Sequence, residues 1–160
     1  MDMHPIKNRS GFTLLELMVA IAIFAVLSAI AIPSMIRWRN NAQFNGAVNI
    51  LRGDLQLAKQ AAIRKGCDVC VSFVSSGYTV FVDDGSGSGT AGDGTCNGSE
   101  SILRNRSMPV GVTIGSITFS NSATHFDGKG LCKQTGTVVL SDSTNQRTIR
   151  INRLGRINMS

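Results

Sequence analysis

A long run of apolar residues dominates the first part of the chain. It covers residues 12–36, and after Glu16 only Ser28, Pro33 and Ser34 interrupt it. A helix over this stretch would be about 37 Å long at 1.5 Å per residue, which is sufficient to cross a lipid bilayer. The pattern therefore predicts one membrane-spanning helix that carries an irregularity at its proline.

The polar residues before this run indicate its orientation. Residues 1–11 are short and polar, and Lys7 and Arg9 lie close to the start of the apolar segment. Positive charges in this position predict a cytoplasmic N-terminus, with the rest of the chain across the membrane. An ordinary secretory signal is excluded because the apolar run is too long and because Gly11 precedes it instead of following it.

Helical spacing continues beyond Pro33. Apolar residues recur at intervals of three and four positions, which is typical of one face of an amphipathic helix. These residues are Phe44, Val48, Leu51, Leu55, Ala58 and Ala62. Gly66 provides a C-cap. We predict one helix over residues 12–65, with a bend or local melting near Pro33, whose amphipathic half at 37–66 packs under a sheet.

The hydrophobic period changes to two after the helix. Val69, Val71 and Phe73 alternate with more polar neighbours, which predicts a strand. Further strands are predicted at 78–82, 101–104, 110–114, 117–119, 137–140 and 147–152, with turns at 75–77, 127–130 and 142–145 and a polar loop at 83–100. Residues 67–160 thus form a β-rich globular domain. The predicted fold class is α+β, a long helix packed on a mostly antiparallel sheet.

Four cysteines raise the question of disulfides or metal binding. They are Cys67, Cys70, Cys96 and Cys132. In a domain outside the cytoplasm, structural disulfides are the natural interpretation, and the three pairings stay open. The C-x-x-C at 67–70 lies where a helix ends, whereas thioredoxin-type chemistry needs a helix that begins there. A zinc site would need a second pair of similar spacing, which Cys96 and Cys132 do not form.

The chain offers few residues for catalysis. Its two histidines are His4 and His125, and no nucleophile motif accompanies either of them. Asp83, Asp84 and Asp93 share a glycine-rich loop, but their spacing does not match an EF-hand calcium loop. We therefore expect neither an enzyme nor a cofactor or metal site.

Glu16 is the unusual residue of the apolar segment. A carboxylate deep in a bilayer costs about 2.5–3.5 kcal/mol on insertion scales, so such a residue usually has a function and a partner. If the chain is cut after Gly11, the new α-amino group of Phe12 lies one helical turn from Glu16. Inside a helical bundle, the carboxylate would then pair with the amine of a neighbouring subunit.

The motif Gly11-Phe12-Thr13-Leu14-Leu15-Glu16, followed by a long apolar helix, resembles the class III signal of type IV prepilins and type II secretion pseudopilins. The resemblance implies a leader of residues 1–11, cleavage after Gly11 by a prepilin peptidase and N-methylation of Phe12. It also implies that Glu16 guides docking onto other pilins or pseudopilins. The precursor would cross the inner membrane once, with its C-terminal domain in the periplasm, before it enters a pilus or pseudopilus.

The second half of the chain resembles the GspH/FimT family of pilin-like proteins. The matching segments are Phe126-Asp127-Gly128-Lys129-Gly130, Thr137-Val138-Val139-Leu140, Arg147-Thr148-Ile149-Arg150-Ile151 and Gly155-Arg156-Ile157. The family contains minor pilins and a minor pseudopilin of type II secretion. The function expected from this resemblance is a minor pilin that primes or caps a type IV pilus, and the alternative is a secretion pseudopilin.

Net charge is +6, and part of the excess lies near the C-terminus as Arg147, Arg150, Arg153 and Arg156. Arginines on one surface can contact DNA phosphates. Some minor pilins of this family are associated with DNA uptake through a G-R-x-R motif. This chain has Gly155-Arg156-Ile157-Asn158, in which Asn158 replaces the second arginine. DNA is thus a further candidate partner, and the competing interpretation is that these arginines are solvated or face a neighbouring subunit.

Overall fold

The computed structural model describes residues 11–87, 90–96 and 99–160. The predicted leader, apart from Gly11, lies outside the described residues. Contacts divide the chain into two units, Met1–Asn40 and Asn41–Ser160. A single 52-residue helix, α1 (Leu14–Lys65), contributes residues to both units.

Both ends of α1 are capped by residues whose chemistry favours those positions. At the start, Thr13 Oγ1 accepts a hydrogen bond from the Glu16 backbone N–H at 3.2 Å, which satisfies one of the free donors of the first turn. At the other end, Gly66 has a φ of +69° and its N–H donates to the Ala62 carbonyl at 2.8 Å. The predicted glycine C-cap is therefore confirmed.

We expected a bend or local melting near Pro33. The helix is continuous through this residue, so the local melting is wrong, and the bend stays a prediction. Proline removes one backbone hydrogen bond from the helix. Opening the helix around it would free several more backbone groups in an apolar segment, and each of those groups would then lack a partner. A continuous helix loses only the one hydrogen bond, so its free-energy cost is smaller than that of opening the helix.

The part of the chain that the structure describes contains eight strands in two four-stranded sheets, and each described pairing is antiparallel. The first sheet has the order β3-β2-β1-β5, built from β1 (Asp68–Val74), β2 (Gly77–Asp83), β3 (Ile102–Ser107) and β5 (Ala123–Phe126). The second has the order β4-β6-β7-β8, built from β4 (Thr113–Ile117), β6 (Gly136–Ser141), β7 (Gln146–Ile151) and β8 (Ile157–Met159). The α+β class is confirmed. We expected one sheet, whereas the structure has two.

One region of the strand prediction is wrong in detail. We expected strands at 110–114 and at 117–119, whereas the structure has the single strand β4. Pro109 and Gly111, which has a φ of +85°, form a turn in which the Val112 N–H donates to the Pro109 carbonyl at 3.0 Å. Val110 sits at the tip of this turn and is 95% exposed. A β-branched residue in a turn gave the false signal.

Strands β5 and β8 were not predicted. All four residues of β5 are buried, so the segment lacks the alternation that identifies a half-exposed strand. Strand β8 has only three residues. By contrast, the hairpins β1–β2 and β6–β7 follow the alternating patterns and turns that predicted them.

One core joins the second half of α1 to both sheets. All six residues of the predicted helical stripe are buried, and Ala47 and Ala61 extend it. They pack with the inward rows of the strands, whose members include Val69, Val71, Val80, Val82, Phe126, Ile114, Val138, Leu140, Ile149 and Ile151. Phe73 stacks on Phe119 with ring centroids 5.8 Å apart. The small alanines allow the helix to lie close to the strands.

A buried carboxylate fixes α1 against the first sheet. Asp54 lies on the buried stripe of the helix, and its Oδ2 accepts hydrogen bonds from the Tyr78 hydroxyl at 2.7 Å and from Arg106 Nε at 3.2 Å. Arg104 Nε lies 3.9 Å from Oδ1. Burial, followed by the hydrogen bond to Asp54, raises the pKa of Tyr78 well above its usual value. The tyrosine therefore stays a hydrogen-bond donor at physiological pH.

Replacing Tyr78 by phenylalanine tests this contact. A hydrogen bond to a charged group contributes about 1.5–3 kcal/mol, and we expect Tyr78→Phe to lower the free energy of unfolding of the unit Asn41–Ser160 by about that amount. Urea denaturation followed by circular dichroism measures the change. The control, Thr79→Val, removes a more exposed hydroxyl from the same strand and should change stability by no more than about 0.5 kcal/mol. Equal midpoints for Tyr78→Phe and the parent would contradict the assignment.

Candidate functional site

The predicted site residues of the N-terminus lie at the start of α1. Gly11, Phe12 and Thr13 precede the helix and are exposed, with Phe12 at 87%. Of residues 11–40, only Ala20 is even partly buried. By length and composition this part of α1 is apolar enough to cross a membrane. An apolar surface of this size needs a lipid or protein environment.

Trp38, flanked by Arg37 and Arg39, marks the end of the apolar segment. Its side chain is 69% exposed. Tryptophan and arginine are favoured where a membrane-spanning helix meets the aqueous boundary, because each combines an apolar body with a polar tip. The membrane-spanning range of residues 12–36 stays a prediction.

Glu16 occupies the third position of α1 and is the single charged residue between 12 and 36. With Thr13 at the N-cap, it completes the T-x-x-E spacing of a capping box. Its negative charge also lies at the positive end of the helix dipole. The position of Glu16 therefore also suits the start of a helix, and the spacing of Thr13 and Glu16 in the sequence contained that signal.

The structure distributes the four C-terminal arginines over different faces. Ile149 points into the core, and Arg147, two residues before it on β7, belongs to the same side of the strand. Arg150 belongs to the opposite side, beside Thr137. All four arginines are exposed, but they do not follow one stripe.

Arg156 lies in a shallow groove beside α1, and Arg153 lies in the turn that joins β7 to β8. Lys59 Nζ donates to the carbonyl oxygens of Leu154 at 3.3 Å and Gly155 at 3.0 Å. The helix thereby holds this turn directly. No pattern in the sequence predicted this contact.

No disulfide joins Cys67, Cys70, Cys96 and Cys132 in the structure, and disulfide formation among them stays a prediction. Cys67 and Cys132 pack against the main core, whereas Cys70 belongs to a separate small cluster with Phe81 and Ala123. Cys96 is exposed on the loop after β2. Cys132 Sγ donates to the Gln134 carbonyl at 2.8 Å, and burial raises its pKa. Burial raises the pKa of Cys70 as well, followed by the effect of the Asp83 charge.

The aspartates of the polar loop shape its backbone. The buried carboxylate of Asp83 accepts hydrogen bonds from the N–H groups of Gly92 at 2.6 Å and Gly94 at 2.9 Å. Asp84 accepts one from the Ser86 N–H at 3.0 Å, and Asp93 accepts one from the Thr95 N–H at 2.8 Å. The three carboxylates considered for calcium thus make separate local contacts.

His125 lies on β5 between Cys70 and Asp83. Its Nδ1 is 3.7 Å from Asp83 Oδ2, and its Nε2 is 3.9 Å from Cys70 Sγ. All three residues are buried. Nδ1 has no hydrogen-bond partner among the described residues. Burial lowers the pKa of His125, and the Asp83 charge opposes that effect. The imidazole is therefore mainly neutral at pH 7.

A long helix that is apolar and uncovered in its first half, and buried under antiparallel sheets in its second half, defines the pilin class of filament subunits. Residues 47–155 match the family described as "Type II transport protein GspH". Residues 6–32 match the prokaryotic N-terminal methylation motif. The chain belongs to the GspH family of type IV minor pilins and pseudopilins, which confirms the resemblance seen in the sequence. Its members are structural subunits and not enzymes.

Solved structures and relatives agree with this assignment. Two crystal structures of the type IV minor pilin FimU from Pseudomonas aeruginosa superpose with TM-scores of 0.53 and 0.58. They cover 72% and 77% of this chain and 91% and 92% of the FimU chains, at 16% and 15% identity, so they establish the shared fold. Two fimbrial proteins of P. aeruginosa are 38% identical over 66 residues, which is 41% of this chain and 42% of each relative. The match thus spans less than half the length of those relatives.

Gly155, part of the sequence match to the family, is fixed by backbone geometry. Its φ is +66°, and a Cβ atom there would lie 2.3 Å from the Gly130 carbonyl oxygen. We expect Gly155→Ala to lower the free energy of unfolding of the unit Asn41–Ser160 by at least about 1–2 kcal/mol, the cost of a left-handed conformation alone. Chemical denaturation of the purified unit provides the measurement.

The matched control for this substitution is Gly53→Ala. Gly53 lies on the exposed side of α1, where an added Cβ meets nothing within 4 Å. Alanine there should leave stability unchanged or increase it by up to about 1 kcal/mol. If Gly155→Ala is as stable as Gly53→Ala, the close approach of Gly155 to Gly130 is not present in solution.

Proposed function

We propose that this protein is a minor pilin that is cleaved after Gly11, methylated on Phe12 and incorporated into a type IV pilus, where it primes or caps the filament. In this proposal residues 1–11 are a leader that a prepilin peptidase removes, and residues 12–36 cross the inner membrane before they enter the filament core. Residues 37–66 are the amphipathic half of the helix, and residues 67–160 form the periplasmic domain.

The uncovered apolar half of α1 is the observation that carries this proposal. Leu14, Leu15, Phe24 and Ile30 are each at least 69% exposed, and most of their helical neighbours are more than half exposed. Before assembly, the lipid bilayer covers these apolar side chains and keeps them out of water. In a filament, the equivalent helices of neighbouring pilins replace the lipid, so extraction from the membrane leaves little apolar surface in water.

Glu16 supports assembly and not merely membrane anchoring. A plain anchor gains nothing from a charge in its apolar segment, since that charge costs free energy in the bilayer. Cleavage after Gly11 creates a positive amine on Phe12, and a neighbouring subunit's amine is a suitable partner for the Glu16 carboxylate. A pair of opposite charges in a low-dielectric helical bundle gives a directional docking signal.

The second candidate function is that of a minor pseudopilin in a type II secretion system, which the description of the matching family favours. The same helix and the same processing would serve that filament. DNA capture has weaker support, because Arg147 and Arg150 lie on opposite sides of β7 and Asn158 replaces the second arginine of the uptake motif.

The decisive experiment measures surface pili in a strain that lacks only this protein. Sheared pili are quantified in the deletion strain and after complementation with the wild-type gene. A strong loss that the wild-type gene restores supports a minor pilin that initiates assembly. Unchanged pili, together with a loss of secreted proteins, would replace this proposal with the pseudopilin function, and a selective loss of transformation would replace it with DNA uptake.

Two substitutions at Glu16 separate its charge from its capping role. Glutamine at the third helical position also serves a capping box, so Glu16→Gln keeps the cap and removes the charge. A hydrogen bond to a charged group contributes about 1.5–3 kcal/mol, and we expect both Glu16→Gln and Glu16→Ala to reduce incorporation into pili roughly tenfold or more. Quantitative immunoblots of sheared filaments measure this ratio against the membrane pool.

Ser28→Ala is the control for the Glu16 variants, because it removes a polar side chain from the same apolar helix without a change of charge. Its incorporation should equal that of the wild type. If Glu16→Gln is incorporated normally and only Glu16→Ala is not, the residue acts through its helix cap and the pairing role is wrong.

Gly11→Val tests the cleavage site. A Cβ at Gly11 meets no atom within 4 Å, so the added side chain should not disturb the fold. We expect the variant to stay at precursor size in immunoblots, because the bulky residue obstructs the peptidase. Mass spectrometry of the wild type should show N-methylated Phe12 as the first residue. A mature-sized Gly11→Val band would contradict the assignment.

A further inference from the structure

A buried cluster under the polar loop has chemistry that filament assembly does not use. Cys70 projects from β1, Asp83 ends β2 and His125 lies on β5. When one donor atom is taken from each residue, the three atoms lie within 4.8 Å of one another. All three side chains are more than nine-tenths buried.

We propose that Cys70, Asp83 and His125 form a zinc-binding site that fastens the loop after β2 to the first sheet. The side chains provide a sulfur, an oxygen and a nitrogen donor, which are three of the four ligands of a tetrahedral zinc site, and a water molecule would be the fourth. Calcium and magnesium prefer oxygen donors alone, so the thiol and the imidazole exclude them.

The pairing of the strands brings these residues together. Cys70 is directly opposite His125 in the β1–β5 ladder, and Asp68 of β1 is directly opposite Asp83 of β2. The donors therefore project from three adjacent strands, whose relative positions are fixed by backbone hydrogen bonds. A site on rigid strands loses little entropy when it binds an ion.

His125 Nδ1 is the unsatisfied group that points to a ligand. It is buried and has no hydrogen-bond partner among the described residues, although Asp83 Oδ2 is 3.7 Å away. Buried polar atoms without a partner are uncommon, and each needs an explanation such as an ion. Donors around a tetrahedral zinc ion lie about 3.3–3.8 Å apart, given bonds of about 2.0–2.3 Å. Binding therefore requires side-chain rotations that bring the donors roughly 1 Å closer together, while the strands keep their positions.

Charge balance also favours a divalent cation. Within the described residues, His125 is the one group able to carry positive charge that lies within 4 Å of the Asp83 carboxylate. A zinc ion would neutralise the carboxylate of Asp83 and the thiolate of Cys70 together. Binding would release the thiol proton to solvent, as metal binding by cysteine does generally.

The loop closes over the cluster through Gly94. Its N–H donates to Asp83, and its carbonyl oxygen lies 3.7 Å from Cys70 Sγ. A Cβ atom on Gly94 would lie 2.7 Å from His125 Cε1, and the φ of +80° also favours glycine. The loop therefore covers the imidazole only because this residue has no side chain. A zinc ion bound to Asp83 and His125 would hold the loop at Gly94 in this position over the imidazole.

Metal content of the full chain in detergent micelles tests this proposal. The protein is purified with reduced thiols, incubated with zinc chloride, freed of excess ion and analysed by plasma mass spectrometry. We expect one zinc ion per chain, and its loss in Cys70→Ser and in His125→Gln. Cys132→Ser, which removes an equally buried thiol from the main core, should keep the ion.

Cobalt(II) provides a readout that needs no variant. Bound to the wild type, it should show thiolate-to-metal charge-transfer absorption, and stoichiometric zinc should abolish that absorption. A wild type that holds no stoichiometric zinc, or an equal loss in Cys132→Ser, would overturn the proposal. A disulfide between Cys70 and Cys96 in protein purified without reductant would also overturn the proposal, because it removes the Cys70 thiolate as a zinc ligand.

Discussion

One helix must satisfy two different environments, and the rest of the structure follows from that constraint. Helix α1 is apolar on all sides between residues 14 and 36, whereas beyond Phe44 only one face is apolar. The first pattern suits lipid or a bundle of equal helices, and the second suits the surface of a sheet. Because the helix is continuous through Pro33, one segment combines both tasks.

The second half of α1 determines how the sheets are built. Its buried stripe contains alanines at 47, 58, 61 and 62, which leave room for the larger side chains of the strands. Asp54 interrupts the stripe with a charge, and Tyr78 and Arg106 satisfy that charge from the first sheet. Because these hydrogen bonds form only when Asp54 faces Tyr78 and Arg106, they fix the rotation of α1 about its own axis. Apolar packing alone would specify that rotation less precisely.

Local periodicity predicted the elements whose faces differ in polarity. The helical stripe was found because one face of the helix is buried and the other is exposed. The β1–β2 hairpin was found because apolar and more polar residues alternate in its sequence around a Ser-Ser-Gly turn, although both strands are largely buried. Strand β5 was missed because all four of its residues are buried, and its sequence contains no alternation. The cluster of Cys70, Asp83 and His125 was missed for another reason. These residues are up to 55 positions apart, and only the pairing of three strands brings them together.

The geometry at Gly155 shows that a residue can match a family motif because the fold requires it and not because it has a role in binding. The glycine is required because its backbone passes close to the Gly130 carbonyl and because Lys59 binds the turn. The match at Gly155-Arg156 is thus explained by the fold, whether or not the arginine binds anything. A role in DNA binding would have to come from exposed guanidinium groups, which β7 directs to opposite sides. Function is therefore better inferred from the apolar helix and Glu16, because the packing of the unit Asn41–Ser160 accounts for neither of them.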